Sequence, residues 1–223
     1  MLIKKIGESS PYRAGQNVKI KASKIGEGST IDDDSIVLKS VIGQDCDIER
    51  RNLIQSSTIG DMTYTGNDTS IMWASIGKYC CISRMVDIGG NEHNYLAAAM
   101  MPSYRIKGKL GGALSKHPTE APITIGNDVW IGEGVSIVRK EGLTIGDGVV
   151  IGSGAVITKS IPDYAIVAGV PGRVIKYRFS ESIIERLKNL KWWDWDKEKI
   201  LRNEELLTQN MTDEVLDLLE NAE

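Results

Sequence analysis

An Ile-Gly pair recurs at a constant spacing in the first third of the chain, starting at Ile25, Ile42, Ile59 and Ile76, each seventeen positions after the last. Aliphatic residues also recur every six positions, in the sets Ile25, Ile31 and Val37; Ile42, Ile48 and Ile54; Ile76, Ile82 and Ile88; Ile125, Ile131 and Ile137; and Ile145, Ile151 and Ile157. A period of six matches neither the 3.6-residue period of an amphipathic helix nor the two-residue period of a half-buried strand. It predicts a triangular solenoid with three short strands per coil, each pointing one aliphatic side chain into a narrow interior.

Small or β-branched residues follow these aliphatic residues at a distance of four positions. Most of these positions carry such a residue: Ser29, Ser35, Cys46, Thr58, Thr63, Cys80, Val86, Val129, Val135, Val149 and Ala155. We expect them near the corners of each coil, where the glycine after the aliphatic residue supplies backbone freedom for the turn. A single coil cannot bury its own face, so stability must come from stacked neighbours. The repeat therefore predicts an all-β solenoid.

Three later segments carry a more specific pattern. Ile125-Gly-Asn-Asp-Val-Trp-Ile-Gly132, Ile145-Gly-Asp-Gly-Val-Val-Ile-Gly152 and Ala168-Gly-Val-Pro-Gly-Arg173 resemble the hexapeptide-repeat, left-handed β-helix acyltransferases over roughly residues 20 to 176. The run Lys191-Trp-Trp-Asp-Trp195 narrows the resemblance to the branch of xenobiotic and cell-surface sugar acetyltransferases. The resemblance implies left-handed winding, acetyl-CoA as acyl donor, no metal, and a homotrimer whose active sites lie between subunits.

The repeat of Ile-Gly pairs is interrupted once, and the C-terminal part of the chain has a helical pattern instead. A new coil is due at residue 93, but the repeat resumes only at Ile125. We divide the chain into an N-terminal lead-in (1–19), a left-handed β-helix catalytic domain (20–176) with an inserted loop (94–123), and a C-terminal helical segment (177–223). Ser180 is a plausible N-cap for the first C-terminal helix. A cluster of tryptophans at 192, 193 and 195 is expected to dock this segment on the solenoid.

The chain contains two histidines, His93 and His117. Acyl transfer from a thioester needs a general base that titrates near neutral pH, and histidine is the usual choice. In the family that the chain resembles, the catalytic histidine stands where the inserted loop begins, which is the position of His93. What orients the imidazole stays open between Glu92, a backbone carbonyl and a side chain of another subunit. The N–H group that stabilises the oxyanion is also open.

The resemblance also maps candidate binding residues onto the chain. Contacts to acetyl-CoA fall on Trp130, Gly132, Ser153, Thr158, Lys159, Arg173 and Lys176. Basic residues suit the phosphates of the cofactor because charge-assisted hydrogen bonds are strong. Candidate acceptor contacts lie in the coils before His93, where the six-residue period weakens: Tyr64, Asp68, Trp73 and Tyr79.

Composition argues against several other classes of protein. A formal net charge of −3 gives no reason to expect nucleic acid. No apolar run approaches the ~20 residues that a membrane span needs, so we expect a cytoplasmic protein. A hydratase of the γ-class carbonic anhydrase type would need three histidine ligands per metal, and this chain has two histidines. The three cysteines are expected to be buried and reduced rather than bridged.

The sequence therefore predicts an acetyl-CoA-dependent acetyltransferase that acts on a hydroxyl or amine of a sugar, such as a cell-surface polysaccharide or a nucleotide-sugar precursor. Acetylation of a xenobiotic of the chloramphenicol or streptogramin type is the alternative within the same class. A non-catalytic trimeric solenoid scaffold is the alternative from another class. An ice-binding solenoid would show regular threonine ladders and no long loop, whereas this chain shows the reverse.

Overall fold

The structure, a computed structural model, describes residues 11–90, 96–101, 103–110, 123–138 and 142–222. Three sheets form the walls of a triangular parallel solenoid. Sheet A contains β1 (Arg13–Ala14), β4 (Thr30–Ile31), β7 (Asp47–Ile48), β10 (Tyr64–Thr65), β13 (Cys81–Ile82), β16 (Trp130–Ile131), β19 (Val150–Ile151), β21 (Ala165–Ala168) and the antiparallel β22 (Arg173–Tyr177). Sheet B contains β2 (Lys19–Lys21), β5 (Ile36–Leu38), β8 (Leu53–Gln55), β11 (Ser70–Met72), β14 (Asp87–Gly90), β17 (Ser136–Val138) and β20 (Val156–Ile157). Sheet C contains β3 (Lys24–Ile25), β6 (Val41–Ile42), β9 (Thr58–Ile59), β12 (Ala74–Ile76), β15 (Ile123–Ile125) and β18 (Thr144–Ile145).

The register of the sheets confirms the period read from the sequence. Ile42 pairs with Ile59 and Ile59 with Ile76, so that each Ile-Gly pair stacks on the next one along the chain. Across the insertion Ile76 pairs with Ile125, and Ile125 then pairs with Ile145, in a coil slightly longer than those before it. The solenoid begins before residue 20, because β1 already pairs with β4.

The interior is built as the repeat predicts. The six-period aliphatic residues from Ile31 onwards are buried and form one continuous core. Small polar residues close the coils from inside: the Ser29 hydroxyl donates to the Gly43 carbonyl (2.8 Å) and accepts from the Cys46 N–H (3.0 Å). Each such hydroxyl therefore ties its own coil to the next one and satisfies backbone groups that water does not reach.

Backbone with positive φ marks the corners of the solenoid. The corner between sheets A and B (the A–B corner) has Asn17, Asp34, Arg51, Asp68, Met85, Gly134 and Gly154 in this conformation. The corner between sheets B and C (the B–C corner) has Ala22, Lys39, Ser56 and Trp73. The corner between sheets C and A (the C–A corner) has Gly28, Asp45, Met62, Tyr79, Asp128, Gly148 and Tyr164.

The glycine of each Ile-Gly pair has a different role from the one that the sequence suggested. The positive φ values of the C–A corner lie two residues further on, at positions such as Gly28 and Asp45. A Cβ on Gly26 would instead lie 2.2 Å from the Gly43 carbonyl oxygen of the next coil. Glycine is required there because stacked backbones approach closely, so the predicted role in turn flexibility was wrong.

The insertion leaves the solenoid at the end of β14. Gly89 has a φ of +92°, and a Cβ there would lie 1.9 Å from the Met72 carbonyl oxygen. Within the insertion, residues 103–109 form the short helix α1 (Ser103–Lys109). The solenoid resumes at β15, whose first residue, Ile123, is buried.

The C-terminal segment is helical, with α2 (Glu181–Leu190), a 3₁₀ turn (Trp192–Asp194), α3 (Lys197–Arg202), α4 (Glu204–Thr208) and α5 (Asp213–Glu220). The Ser180 hydroxyl accepts a hydrogen bond from the Ile183 N–H, which confirms the predicted N-cap of α2, and the Thr212 hydroxyl caps α5 in the same way through the Val215 N–H. Asn203 separates α3 from α4. None of the helices in the described part of the chain is long and apolar enough to cross a membrane.

The tryptophan cluster docks this segment on the solenoid, as predicted. The Trp192 ring lies 4.8 Å from the Tyr79 ring at the C–A corner, measured between centroids. Lys78 forms an ion pair with Asp194 at 2.9 Å. A second anchor was not foreseen: Arg178 donates to the carboxylate of Asp128 at 2.8 Å, in a half-buried site.

Candidate active site

The two histidines, His93 and His117, lie outside the described residues. The described part of the chain does show the root of the insertion that carries both of them. Gly90, the last residue of β14, lies one coil beyond Trp73 of the B–C corner. His93 follows Gly90 by three positions in the sequence. The B–C corner is therefore the anchor of the segment that carries the candidate base.

Three of the candidate cofactor residues lie on successive coils at one corner. Gly132 follows β16, and its N–H donates to the Ile151 carbonyl of the next coil at 2.8 Å. A Cβ on Gly132 would lie 2.6 Å from the Ser153 nitrogen, so the two residues stack directly. Arg173 pairs with Ala168 at the same end of sheet A. The structure thus places Gly132, Ser153 and Arg173 along the A–B corner.

After the insertion, the positive-φ positions of the A–B corner carry no side chains. Before the insertion the positive-φ positions carry side chains, such as Arg51 and Asp68, whereas after it they are Gly134 and Gly154. A Cβ on either glycine would meet no atom within 4 Å, so packing does not require glycine at these two positions. We call Gly132, Gly134, Gly152 and Gly154 the glycine strip. Gly134 and Gly154 are exposed, whereas Gly132 is buried and Gly152 is partly buried. The two exposed glycines suit an extended ligand that lies close against the chain.

An aromatic side chain and two basic side chains border the glycine strip. Trp130 points outward from sheet A with 54% of its surface exposed. Every residue of β22 is exposed, including Arg173 and Lys176. The Arg173 guanidinium donates to the adjacent Gly172 carbonyl at 2.9 Å. Glu133, inside the strip, pairs with Arg84 at 3.0 Å, an ion pair that the sequence did not reveal.

Thr158 and Lys159 lie at a different corner from the glycine strip. They follow β20 and therefore sit at the B–C corner, whereas the glycine strip lies at the opposite edge of sheet B. One chain does not bring all seven candidate cofactor residues into a single site. They form two groups separated by the width of sheet B.

The four candidate acceptor residues are also dispersed. Tyr64 points outward from sheet A with 45% exposure. Asp68 lies at the A–B corner, where Arg51 donates to its carboxylate at 2.6 and 2.7 Å and lowers its pKa. Trp73 lies at the B–C corner beside the root of the insertion, and Tyr79 lies at the C–A corner against Trp192. The four residues are thus distributed over sheet A and all three corners of the solenoid.

The cysteines offer no ready nucleophile. Burial raises the pKa of the Cys46 thiol to about 11 and that of Cys80 to about 12. Burial also raises the pKa of Cys81, which is half-buried on sheet A. Thiolate is the reactive form of cysteine, so these groups are inert near neutral pH. Within the described ranges, no group of three or more His, Cys, Asp or Glu residues is arranged to hold a metal ion.

Comparison with known proteins shows which proteins the chain resembles. The chain is 38% identical over 139 residues to a probable macrolide acetyltransferase of Lysinibacillus sphaericus, which covers 60% of this chain and 76% of that protein. It is 36% identical over 130 residues to a chloramphenicol acetyltransferase of Klebsiella aerogenes, covering 56% of this chain and 61% of that protein. A galactoside O-acetyltransferase of Escherichia coli K12 is 58% identical over 55 residues, which is 25% of this chain and 26% of that protein.

No family model matches the chain. The match to the macrolide acetyltransferase extends over more than two thirds of that protein, whereas the match to the chloramphenicol acetyltransferase spans about three fifths of it. Together with the triangular solenoid and its hexapeptide period, this similarity identifies the chain. It belongs to the hexapeptide-repeat, left-handed β-helix acetyltransferases.

Proposed function

We propose that this acetyltransferase transfers the acetyl group of acetyl-CoA to a hydroxyl of a sugar, at a site that two chains of a homotrimer build together. The glycine strip is the observation that carries this proposal. A pantetheine chain is narrow and extended, and it fits along the exposed Gly134 and Gly154, where neither residue carries a side chain. The exposed Arg173 continues the strip, and the exposed Lys176 is in register with Trp130 on sheet A, so both would bind the phosphates.

The division of the cofactor residues into two groups supports an active site between chains. Gly132 and Ser153 line one edge of sheet B, and Thr158 and Lys159 line the other. A cofactor bound at the A–B corner of one chain is far from Thr158 and Lys159 of that chain. It reaches this pair of residues only if a neighbouring chain presents its own B–C corner. A closed ring of three chains satisfies this condition when every sheet B faces the common axis.

The outward side chains of sheet B fit such an interface. About half of its outward positions are apolar and partly exposed: Ile36, Leu38, Leu53, Met72, Val138 and Val156. The polar outward positions include Lys19 and Lys21 in the first coil, and Gln55, Ser70, Asp87 and Ser136. In contrast, the outward positions of sheet C are mainly threonine and lysine, including Lys24, Thr58, Thr124 and Thr144. Apolar side chains that point away from the core are stabilised when another copy covers them. We therefore assign sheet B to the interface of the homotrimer.

His93 serves as the general base in this proposal. Bound acetyl-CoA supplies a thioester whose carbonyl carbon accepts a nucleophile. The neutral imidazole of His93 accepts the proton of the acceptor hydroxyl as its oxygen bonds to that carbon. The C–S bond then breaks, and the imidazolium of His93 returns the proton to the departing thiolate, which regenerates the neutral base. In this proposal the A–B corner holds the thioester in line with the acceptor hydroxyl, so positioning adds to the effect of the proton transfer.

A test of the acceptor class compares sugars with antibiotics. Thiol release from acetyl-CoA is measured with methyl galactoside, N-acetylglucosamine, a uridine diphosphate sugar, chloramphenicol and a macrolide. The proposal expects turnover of at least one sugar with a kcat/KM at least tenfold above that of either antibiotic. The names of the macrolide and chloramphenicol relatives favour a xenobiotic hydroxyl as the second candidate. Faster turnover of an antibiotic would select this second function.

The basic residues give a second test. We expect Lys159→Gln and Arg173→Gln each to raise KM for acetyl-CoA about tenfold or more, because a charge-assisted hydrogen bond to a phosphate is lost. The KM for acetyl-pantetheine, which lacks those phosphates, should change little, and kcat at saturation should stay the same. Lys24→Gln on sheet C is the matched control. Equal effects on both thioesters would show that the two residues are only surface charges.

A further inference from the structure

The outward face of sheet A carries a row of side chains that runs from Trp130, beside the glycine strip, to residues that the proposed chemistry does not use. The register aligns Trp130, Cys81, Tyr64 and Asp47 on neighbouring strands. Thr30 and Arg13 continue the row to the first coil. Neighbouring strands are ~4.8 Å apart, so the five steps from Trp130 to Arg13 span roughly 24 Å. This is longer than one sugar ring or one drug-sized molecule.

The row has its aromatic surface at one end and its hydrogen-bonding groups at the other. Trp130 and Tyr64 expose 54% and 45% of their surfaces, and two strand steps of roughly 10 Å separate them. Asp47 is exposed, and its carboxylate has no bonding partner among the residues that the structure describes. The Arg13 guanidinium donates to the Thr30 hydroxyl at 3.2 Å and keeps further N–H groups for a ligand.

A cleft closes the far end of this row. It has a volume of about 530 Å³ and lies between the first coils of sheet A and helix α3. Arg13, Thr30 and Asp47 form one wall, and Ile200 and Leu201 of α3 form the opposite wall. The ion pair between Lys197 and Asp45 ties α3 to the C–A corner and holds the cleft in shape. Its volume lies in the range of small-molecule sites, with a polar wall on sheet A and an apolar wall on α3.

We propose that the outward face of sheet A binds an extended oligosaccharide acceptor, whose reactive sugar lies near Trp130 and whose distal sugars occupy the cleft beside α3. This inference rests on the proposed function, because it specifies the acceptor as a chain rather than a single sugar. Sugar rings have apolar faces that stack on exposed aromatic rings, and their hydroxyls both donate to carboxylates and accept from guanidinium groups. The row offers the aromatic rings of Trp130 and Tyr64 and then the hydrogen-bonding groups from Asp47 to Arg13. The opposite charges of Asp47 and Arg13 favour a hydroxyl-rich ligand over a strongly charged one.

Binding of the full-length protein to immobilised linear oligosaccharides tests the proposal. The probes are hexose, N-acetylhexosamine and sialic acid series of one to eight units. In at least one series, the half-saturating concentration should fall at least tenfold from the monosaccharide to the tetrasaccharide. Asp47→Ala and Arg13→Gln should remove this gain without changing monosaccharide binding. Thr58→Ala, an outward residue of sheet C, is the matched control. No gain with length in any series, or equal behaviour of Asp47→Ala and Thr58→Ala, would overturn the proposal.

Thiol release with the same probes separates this inference from the proposed function. Turnover of monosaccharides and tetrasaccharides with equal KM would retain sugar acetylation and overturn the extended site. Length-dependent binding without acetylation of any sugar would retain the extended site as a binding surface and overturn the sugar acetyltransferase activity.

Discussion

His93→Ala is expected to lower kcat by about 10²–10⁴-fold while KM for acetyl-CoA stays nearly unchanged. The imidazole accepts the acceptor's proton only as the new bond forms, so its loss affects the transition state and not the binding of the donor. The insertion that carries His93 starts where the repeat requires a new coil, and Ile76 pairs instead with Ile125. The aliphatic interior is therefore complete without His93, and the variant should fold.

The pH profile separates loss of a base from loss of structure. In the unchanged protein, kcat/KM should rise with pH through an ionisation near the ordinary histidine pKa of ~6.5, and the variant should lack this ionisation. The melting temperature of the variant should equal that of the unchanged protein. His117→Ala is the control and should cost less than about tenfold. A near-normal kcat in His93→Ala with a large loss in His117→Ala would move the base to His117.

The interior of this fold was predictable because a solenoid repeats one environment in every coil. Ile31, Ile48 and Ile82 occupy equivalent positions, and all three are buried. The same steric requirement thus appears many times in one sequence, and chance agreement becomes improbable. The packing reason for each Ile-Gly glycine was not predictable in this way. The reason is the close approach of two stacked backbones, such as those of Gly26 and Gly43. The spacing of residues along the sequence does not reveal how close two coils come in space.

The candidate acceptor residues show where sequence reasoning reached its limit. Tyr64, Asp68, Trp73 and Tyr79 are close in sequence, which suggested one cluster. A single coil visits all three corners, so residues of one coil separate in space while residues one full coil apart meet, as Tyr64 and Asp47 do. The row from Trp130 to Arg13 on sheet A follows this second rule. It became visible only once the register was known.

Leu53→Asp is expected to convert the homotrimer to monomers and to lower acetyl transfer by more than about 100-fold. Leu53 points outward from the middle of sheet B, the face that we assign to the three-fold axis. Three copies would bring three carboxylates together there, and each uncompensated buried charge costs several kcal/mol. Without the neighbouring chain, the glycine strip lacks the B–C corner that presents Thr158 and Lys159. Sedimentation velocity at micromolar concentration measures the assembly, and thiol release measures the activity.

Thr58→Asp is the matched control, because Thr58 is exposed and points outward from sheet C at the middle of the same solenoid. It adds the same charge to a face that the proposed trimer leaves in solvent, so mass and activity should stay unchanged. Circular dichroism should show that both variants keep the solenoid, since neither residue belongs to the aliphatic interior. If Thr58→Asp dissociates the assembly and Leu53→Asp does not, sheet C is the interface. An active monomer of Leu53→Asp would show that one chain builds the whole site, against the two-corner arrangement of the cofactor residues.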